Sequence, residues 1–286
     1  MTSSLGLYSQ LACIWEATAR KPGNVHRFRD FEDVTYLDFL SSAAAIAPVL
    51  AGAETRTVGQ TVLEGVQRSR LVAPTNTNLG ILLLLAPLAR ASGEPGLRAG
   101  VEQVLSELTL ADAVDVYQAI RLARPGGLGR VAEQDVAGEP TQTLREVMAL
   151  AADRDLIARQ YVNGFEQVFT EGVPILRQVL EQETSLERAI IACHLHLLAR
   201  HPDSLILRKR GPDEAEGASR RAQQVLDTGW EMGGGDWEEL ASLDAWLCEE
   251  GHARNPGTTA DLVAACLFVG LRDSPASFLA ASWGDR

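Results

Sequence analysis

Apolar residues recur three and four apart along most of the chain, the spacing that puts them on one face of a helix. Leu5, Tyr8, Ala12, Trp15 and Ala19 form the first stripe, widened by Leu11 and Ile14. Glu16 and Arg20 lie off that stripe at a spacing suited to a weak surface pair. The helix is expected to close before Lys21-Pro22-Gly23. The same periodicity predicts helices over 36–52, 58–72, 79–91, 96–108 and 110–123, and a second series over 144–152, 155–183, 185–200, 213–228, 237–250 and 259–271. Few runs alternate with period two, so the pattern predicts an all-α protein without a sheet.

Punctuation sharpens several of these boundaries. Thr35, Thr109 (with Asp112 three residues on) and Ser185 read as helix starts. Gly172 and Pro174 are expected to kink or break the long 155–183 segment. Five inter-helix segments, 21–35, 73–78, 124–140, 201–212 and 251–258, are rich in Gly, Pro, Asn, Asp and Arg. Polar loops of similar chemistry, spread over the chain, point to a shared polar pocket. No low-complexity linker or fixed repeat divides the sequence, so residues 1–286 are read as a single all-helical catalytic domain.

Composition narrows the function classes. Twenty-six Lys and Arg against 38 Asp and Glu leave a formal charge of −12, which excludes a whole-surface basic footprint for nucleic acid. Any anionic ligand must therefore be met by a local cluster of cations or by metal. Only Lys21 and Lys209 are lysines, and each falls in one of the five polar loops, so both are expected to line one basic pocket. Cys13, Cys193, Cys248 and Cys266 show no metal or redox spacing and read as buried thiols of a reducing cytoplasm. The first residues lack the basic and apolar regions of a signal peptide. The longest apolar run, 79–89, contains Pro87 and falls short of the ~18 residues needed to cross a membrane. Homo-oligomerisation stays open.

Each polar loop has two readings. Lys21-Pro22-Gly23-Asn24-Val25-His26-Arg27 is a capped turn, but its three cationic or titratable groups also suit a phosphate. Asp30, Glu32 and Asp33 behind it suit either a solvated turn or a divalent ion. Thr75-Asn76-Thr77-Asn78 precedes an apolar helix, as a cap or as a phosphate site at a helix N-terminus. The glycine-rich run from Arg124 to Arg130, followed by Glu133 and Asp135, is either a surface loop or a lid over a nucleotide. It matches neither a P-loop nor a dinucleotide fingerprint. Asp203-Ser204 followed by Arg208-Lys209-Arg210-Gly211 is the densest positive run, suited to polyphosphate or to solvent. His194 and His196, two apart on a helix, point to different faces and make a poor metal pair. In Asn255-Pro256-Gly257-Thr258-Thr259-Ala260-Asp261-Leu262, Thr258 or Thr259 is the expected cap. Asp261 falls in the expected first turn, as a dipole partner, a magnesium ligand or a base.

Taken in order, these motifs resemble the triphosphoribosyl-dephospho-CoA synthase family, which makes the prosthetic-group precursor of citrate lyase and malonate decarboxylase. The resemblance runs from Glu16 to about Leu271. Its Lys-Pro-Gly turn corresponds to Lys21-Pro22-Gly23-Asn24-Val25-His26, and its Asn-Thr motif to Asn76-Thr77. Its Asp-Thr with downstream cations and Gly is similar to Asp203-Ser204 and Arg208 to Gly211. Its Pro-Gly-Gly-Ser/Thr-Ala-Asp-Leu stretch is similar to Asn255 through Leu262. Two departures stand out. Asn78-Leu79 replaces the usual His-Lys of the second motif, and the central Gly/Ala/Glu segment is only loosely echoed by Gly126 to Asp135.

The resemblance implies an all-helical enzyme that displaces adenine from C1′ of ATP with the 2′-hydroxyl of dephospho-CoA, the triphosphate staying attached. Such a step needs a carboxylate near the sugar, a donor for the departing base and a triphosphate clamp. On this reading Asp203 and Asp261 are catalytic and, with Glu133 and Asp135, bind Mg²⁺. Lys21, Arg130, Arg208 and Lys209 meet the phosphates, while Gly23, Asn24, Asn76, Thr77, Asn78, Ser204, Asn255, Gly257 and Thr258 shape the substrate site. Two rivals stand beside it. One is the same transfer to another cofactor precursor, such as a pterin of one-carbon metabolism; the other is a non-catalytic helical nucleotide-binding protein.

Overall fold

In a computed structural model, residues 4–94, 96–126, 133–183, 185–230 and 235–284 are described, and no strand occurs among them. The helices are α1 (Ser4–Thr18), α2 (Tyr36–Ala51), α3 (Val58–Ser69), α4 (Leu79–Arg90), α5 (Leu97–Ser106), α6 (Leu110–Ala123), α7 (Leu144–Ala149) and α8 (Leu156–Asn163). After them come α9 (Val173–Glu183), α10 (Leu186–Arg200), α11 (Ser204–Arg210), α12 (Pro212–Leu226), α13 (Trp237–Cys248), α14 (Gly257–Asp273) and α15 (Pro275–Ala280). The all-α prediction is met. The chain forms two compact units, one of Met1–Ile14 with Leu37–Glu166, the other of Trp15–Tyr36 with Gln167–Arg286.

The first unit is built around α4, whose residues from Ile81 to Ala89 are all buried. A helix apolar on every side must be enclosed by others, and α3, α5 and α8 pack on it. Capping boxes start α3 (Thr57 with Gln60), α6 (Thr109 with Asp112) and α7 (Thr143 with Glu146). Asp112 does more than close its own box. Its Oδ2 accepts from the Thr109 amide and hydroxyl, while Oδ1 accepts from the Gly59 amide in the first turn of α3. One buried carboxylate thus serves two helix N-termini. A Cβ on Gly59 would stand 2.7 Å from the Asp112 backbone, so glycine lets α3 and α6 meet.

The second unit is built around α10 and α14, both buried over most of their length. α12 and α13 add a core of Ala215, Ala218, Ala222, Leu240, Leu243 and Leu247 against Ile191, Leu195 and Ile206. Ser185 caps α10 by accepting from the Arg188 amide, as its position predicts.

Three local expectations are corrected. The 155–183 segment breaks at Gly164, a left-handed C-cap at φ +68°, and only then passes through a π-helical turn, Val168–Gly172, into α9. Pro174 has no N–H to continue an α ladder, and it stands where the π turn hands over to α9. The 201–212 loop contains a short helix, α11, with Arg208, Lys209 and Arg210 in its last turn, where the dipole favours cations. The surface pair between Glu16 and Arg20 does not form: Glu16 is buried on Lys21, and Arg20 goes to Glu187.

Candidate functional site

The second unit brings three of the five polar loops together. The Lys21–Asn24 turn is stopped by Pro22 and turned by Gly23, at φ +77°. A Cβ on Gly23 would stand 2.8 Å from Leu247 of α13 and from Pro256, so only glycine lets the first loop lie against the last. The Gly23 amide donates to Asp244 (2.8 Å), and Asn24 Nδ2 donates to Asn255 Oδ1 (2.6 Å).

Asp203 joins the remaining loop. Its Oδ1 accepts from the Leu205 and Ile206 amides and caps α11. Its Oδ2 accepts from the amide and hydroxyl of Thr259, at 2.7 and 2.8 Å. The cap of α14 therefore comes from Asp203, and neither Thr258 nor Thr259 supplies it. Because α14 begins at Gly257, Asp261 lies beyond the first turn. Burial pushes the Asp203 carboxyl above its ordinary value, against the pull of these four donors. With both oxygens engaged by protein donors, Asp203 holds two helix ends in place.

The cations of the first loop are likewise spent on carboxylates. Lys21 is fully enclosed, its Nζ 2.8 Å from Glu16, so it does not line an open basic pocket. Arg20 and Arg27 both grip Glu187, Arg27 at 2.6 Å and Arg20 at 2.8 Å. Burial alone would raise Glu187. The guanidinium bonds from Arg27 and Arg20 outweigh it and hold the carboxyl at about 2. Arg29 forks onto Asp244 at 2.5 Å, pinning the turn in which His26 and Arg29 exchange backbone bonds. Burial, with the nearby charges of Arg29, Lys21 and Arg27, pushes His26 down to about 4, and its Nδ1 accepts from the Phe28 amide. Lys209 is half-buried and donates to the His252 carbonyl (3.4 Å). Arg208 is exposed, Ser204 and Thr258 are buried, and Asp261 is half-buried.

Other predicted residues lie in the first unit. Asn76 accepts from the Leu79 amide, Thr77 donates to the Ser42 hydroxyl and Asn78 Oδ1 accepts from Ser69. Asn78, which stands where the resembling family usually has His, is buried, and its Nδ2 has no partner. Glu133 is exposed, and Asp135 accepts from the Ala137 amide in a turn. Arg130 lies outside the described residues. No group of three or more His, Cys, Asp or Glu side chains placed to hold a metal occurs among the described residues. Of the four carboxylates expected at Mg²⁺, Glu133 and Asp135 belong to the first unit and Asp203 and Asp261 to the second.

Sequence reasoning missed Glu187 and Asp244, the anchors of the first loop, because each meets its partners only through the tertiary fold. His194 is fully buried with neither ring nitrogen bonded; burial and the Lys21 charge push it well below its ordinary value. The thiols of Cys13, Cys193 and Cys266 are buried and that of Cys248 half-buried, and none of the four is in a disulfide. No described helix is long and apolar enough to cross a membrane.

Comparison with known proteins fits this arrangement. A family model described as ATP:dephospho-CoA triphosphoribosyl transferase matches residues 2–278. Proteins of Salmonella gallinarum and Salmonella typhi, described as 2-(5''-triphosphoribosyl)-3'-dephosphocoenzyme-A synthases, are 29% and 28% identical over 109 residues, 37% of this chain. The matched stretch spans 35% of the length of those curated relatives. A crystal structure from Archaeoglobus fulgidus, assigned to triphosphoribosyl-dephospho-CoA synthase, is similar with a TM-score of 0.63 at 29% identity. It covers 86% of this chain and 100% of its own. Motif order, helical fold and a match over nearly the whole length agree: the chain belongs to the ATP:dephospho-CoA triphosphoribosyl transferase family.

Proposed function

We propose that the protein transfers the triphosphoribosyl group of ATP to the 2′-hydroxyl of dephospho-CoA and releases adenine. The observation that carries this reading is the convergence of three family motifs in one unit: Asn24 on Asn255, Gly23 against Pro256, and Asp203 on Thr259. Glu16, Glu187 and the half-buried Asp244 bind Lys21 and the first-loop arginines, which fixes that loop in place. Arg208 and Lys209, in the last turn of α11, are the cations we assign to the triphosphate, Lys209 reaching the His252 carbonyl of the last loop. Asp261 is the carboxylate suited to act near the sugar, and Asp203 positions the helix from which it projects. Four cysteines without a disulfide support a reducing, cytoplasmic setting.

Incubation with ATP, Mg²⁺ and dephospho-CoA is expected to yield free adenine and a product heavier by the triphosphoribosyl group, read by chromatography and mass spectrometry. Appearance of ADP or AMP without adenine would overturn the assignment.

A second reading keeps the donor and changes the acceptor to another cofactor precursor, such as a pterin. It is favoured by Asn78, buried and neutral where the resembling family usually carries a cationic pair. An acceptor screen at constant ATP separates the two, and turnover of dephospho-CoA alone would remove the second.

A further inference from the structure

Where the three loops meet, the charged anchors are saturated. Asp203 takes four donors, Glu187 two guanidinium groups and a backbone amide, and Asp244 a guanidinium fork and the Gly23 amide. Asn24 is the exception. The residue is only 6% exposed, its Nδ2 is committed to Asn255, and its Oδ1 is buried without a partner. A buried amide oxygen left unmade costs about 1–3 kcal/mol, so such an atom at a loop junction calls for a ligand that fills it.

The chemistry of that ligand follows from the surroundings. Lys21, Arg20, Arg27 and Arg29 are each bound to a carboxylate, so the junction has no uncommitted first-loop cation for a phosphate. Asn24 Oδ1 needs a neutral donor. Asn255 Nδ2, beside Gly257, brings amide donors to the same pair, and a Cβ on Gly257 would stand 3.8 Å from that nitrogen. A hydroxyl suits both groups, because it donates to one and accepts from the other.

We propose that the buried Asn24–Asn255 carboxamide pair receives a ribose hydroxyl of a nucleotide substrate. This deepens the function proposed above and rests on it, since both substrates named there carry ribose. The pair acts on binding and orientation of the sugar and takes no part in bond making.

The test crosses Asn24→Ala with substrates lacking one hydroxyl: ATP against 2′-deoxy-ATP and 3′-deoxy-ATP, and dephospho-CoA against its 3′-deoxy analogue. In the wild type, one analogue is expected to lose about tenfold in kcat/KM, the worth of one hydrogen bond to a buried group. Asn24→Ala should lose about as much on the natural substrate and nothing further on that analogue. Asn24→Asp, which keeps an acceptor, should retain the discrimination. If the non-additivity falls on an ATP analogue, the hydroxyl is the donor's; if it falls on the dephospho-CoA analogue, it is the acceptor's. Additive losses on every analogue would overturn the inference, because a residue that merely holds the loop weakens all substrates alike. Calorimetric binding of ATP and its deoxy analogues gives the same comparison without turnover. A wild type that binds ATP and releases no adenine would then count against the function alone.

Discussion

Asp203 and Thr259 are joined by two hydrogen bonds through a single oxygen, at 2.7 Å from the Thr259 amide and 2.8 Å from its hydroxyl. The other oxygen caps α11, so one side chain fixes the start of two helices that carry family motifs. Asp203→Ala leaves four donors, three of them buried, without their acceptor and is expected to lower stability by about 3 kcal/mol, read from the urea midpoint. Asp203→Asn, which keeps one acceptor oxygen, should fall between. A variant as stable as wild type would show that the double cap is dispensable.

Lys21 and Glu16 form a buried ion pair, with the Lys21 ammonium also donating to the Glu16 carbonyl. Removing one partner strands the other charge. Lys21→Met alone is expected to cost about 3–5 kcal/mol, while Lys21→Met with Glu16→Leu should recover much of the loss. Denaturant unfolding of the two single variants and the double closes the cycle. Additive losses would mean that the two charges do not compensate one another.

Glu187 makes stability depend on acid. Its folded value, about 2, lies below the ordinary 4.5, so its stabilising contribution is complete above pH 4.5 and fades as pH falls toward 2. Glu187→Gln should lower stability at pH 7 and flatten the decline across that window, measured by urea unfolding at stepped pH. An unchanged acid limb would contradict the assigned value.

Gly23→Ala combines a strained positive φ with a Cβ 2.8 Å from Leu247 and Pro256. A loss of about 2–4 kcal/mol is expected from thermal or urea unfolding. Because Asn24 follows directly, the folded fraction should also lose kcat/KM for the substrate whose hydroxyl Asn24 receives.

What could be read in advance follows a physical line. Local signals were legible: the Thr109–Asp112 box and the Ser185 cap need only residues three apart, and both form. The end of the first helix before Lys21 depends on Pro22 and was legible for the same reason. α11 was hidden because it is a two-turn helix whose cap is shared with a residue 56 positions away. The order of the motifs pointed to the family, yet their charges misled. Arg27 and Arg29 look available to phosphate in one dimension, because Glu187 and Asp244 meet them from more than 150 residues off, and Lys21 looks open although Glu16, five residues before it, encloses it. The orphaned oxygen of Asn24 is a property of packing and leaves no trace in the order of residues.

The enclosure of Lys21 also sets how the protein meets amine-directed reagents. Among the lysines only Lys209 is partly open, so acylation under native conditions should mark that one side chain. Label on Lys21 would then be a record that the Trp15–Tyr36 segment had come away from its unit. A chain so poor in lysine carries within it a single-site reporter of its own opening, readable by peptide mass.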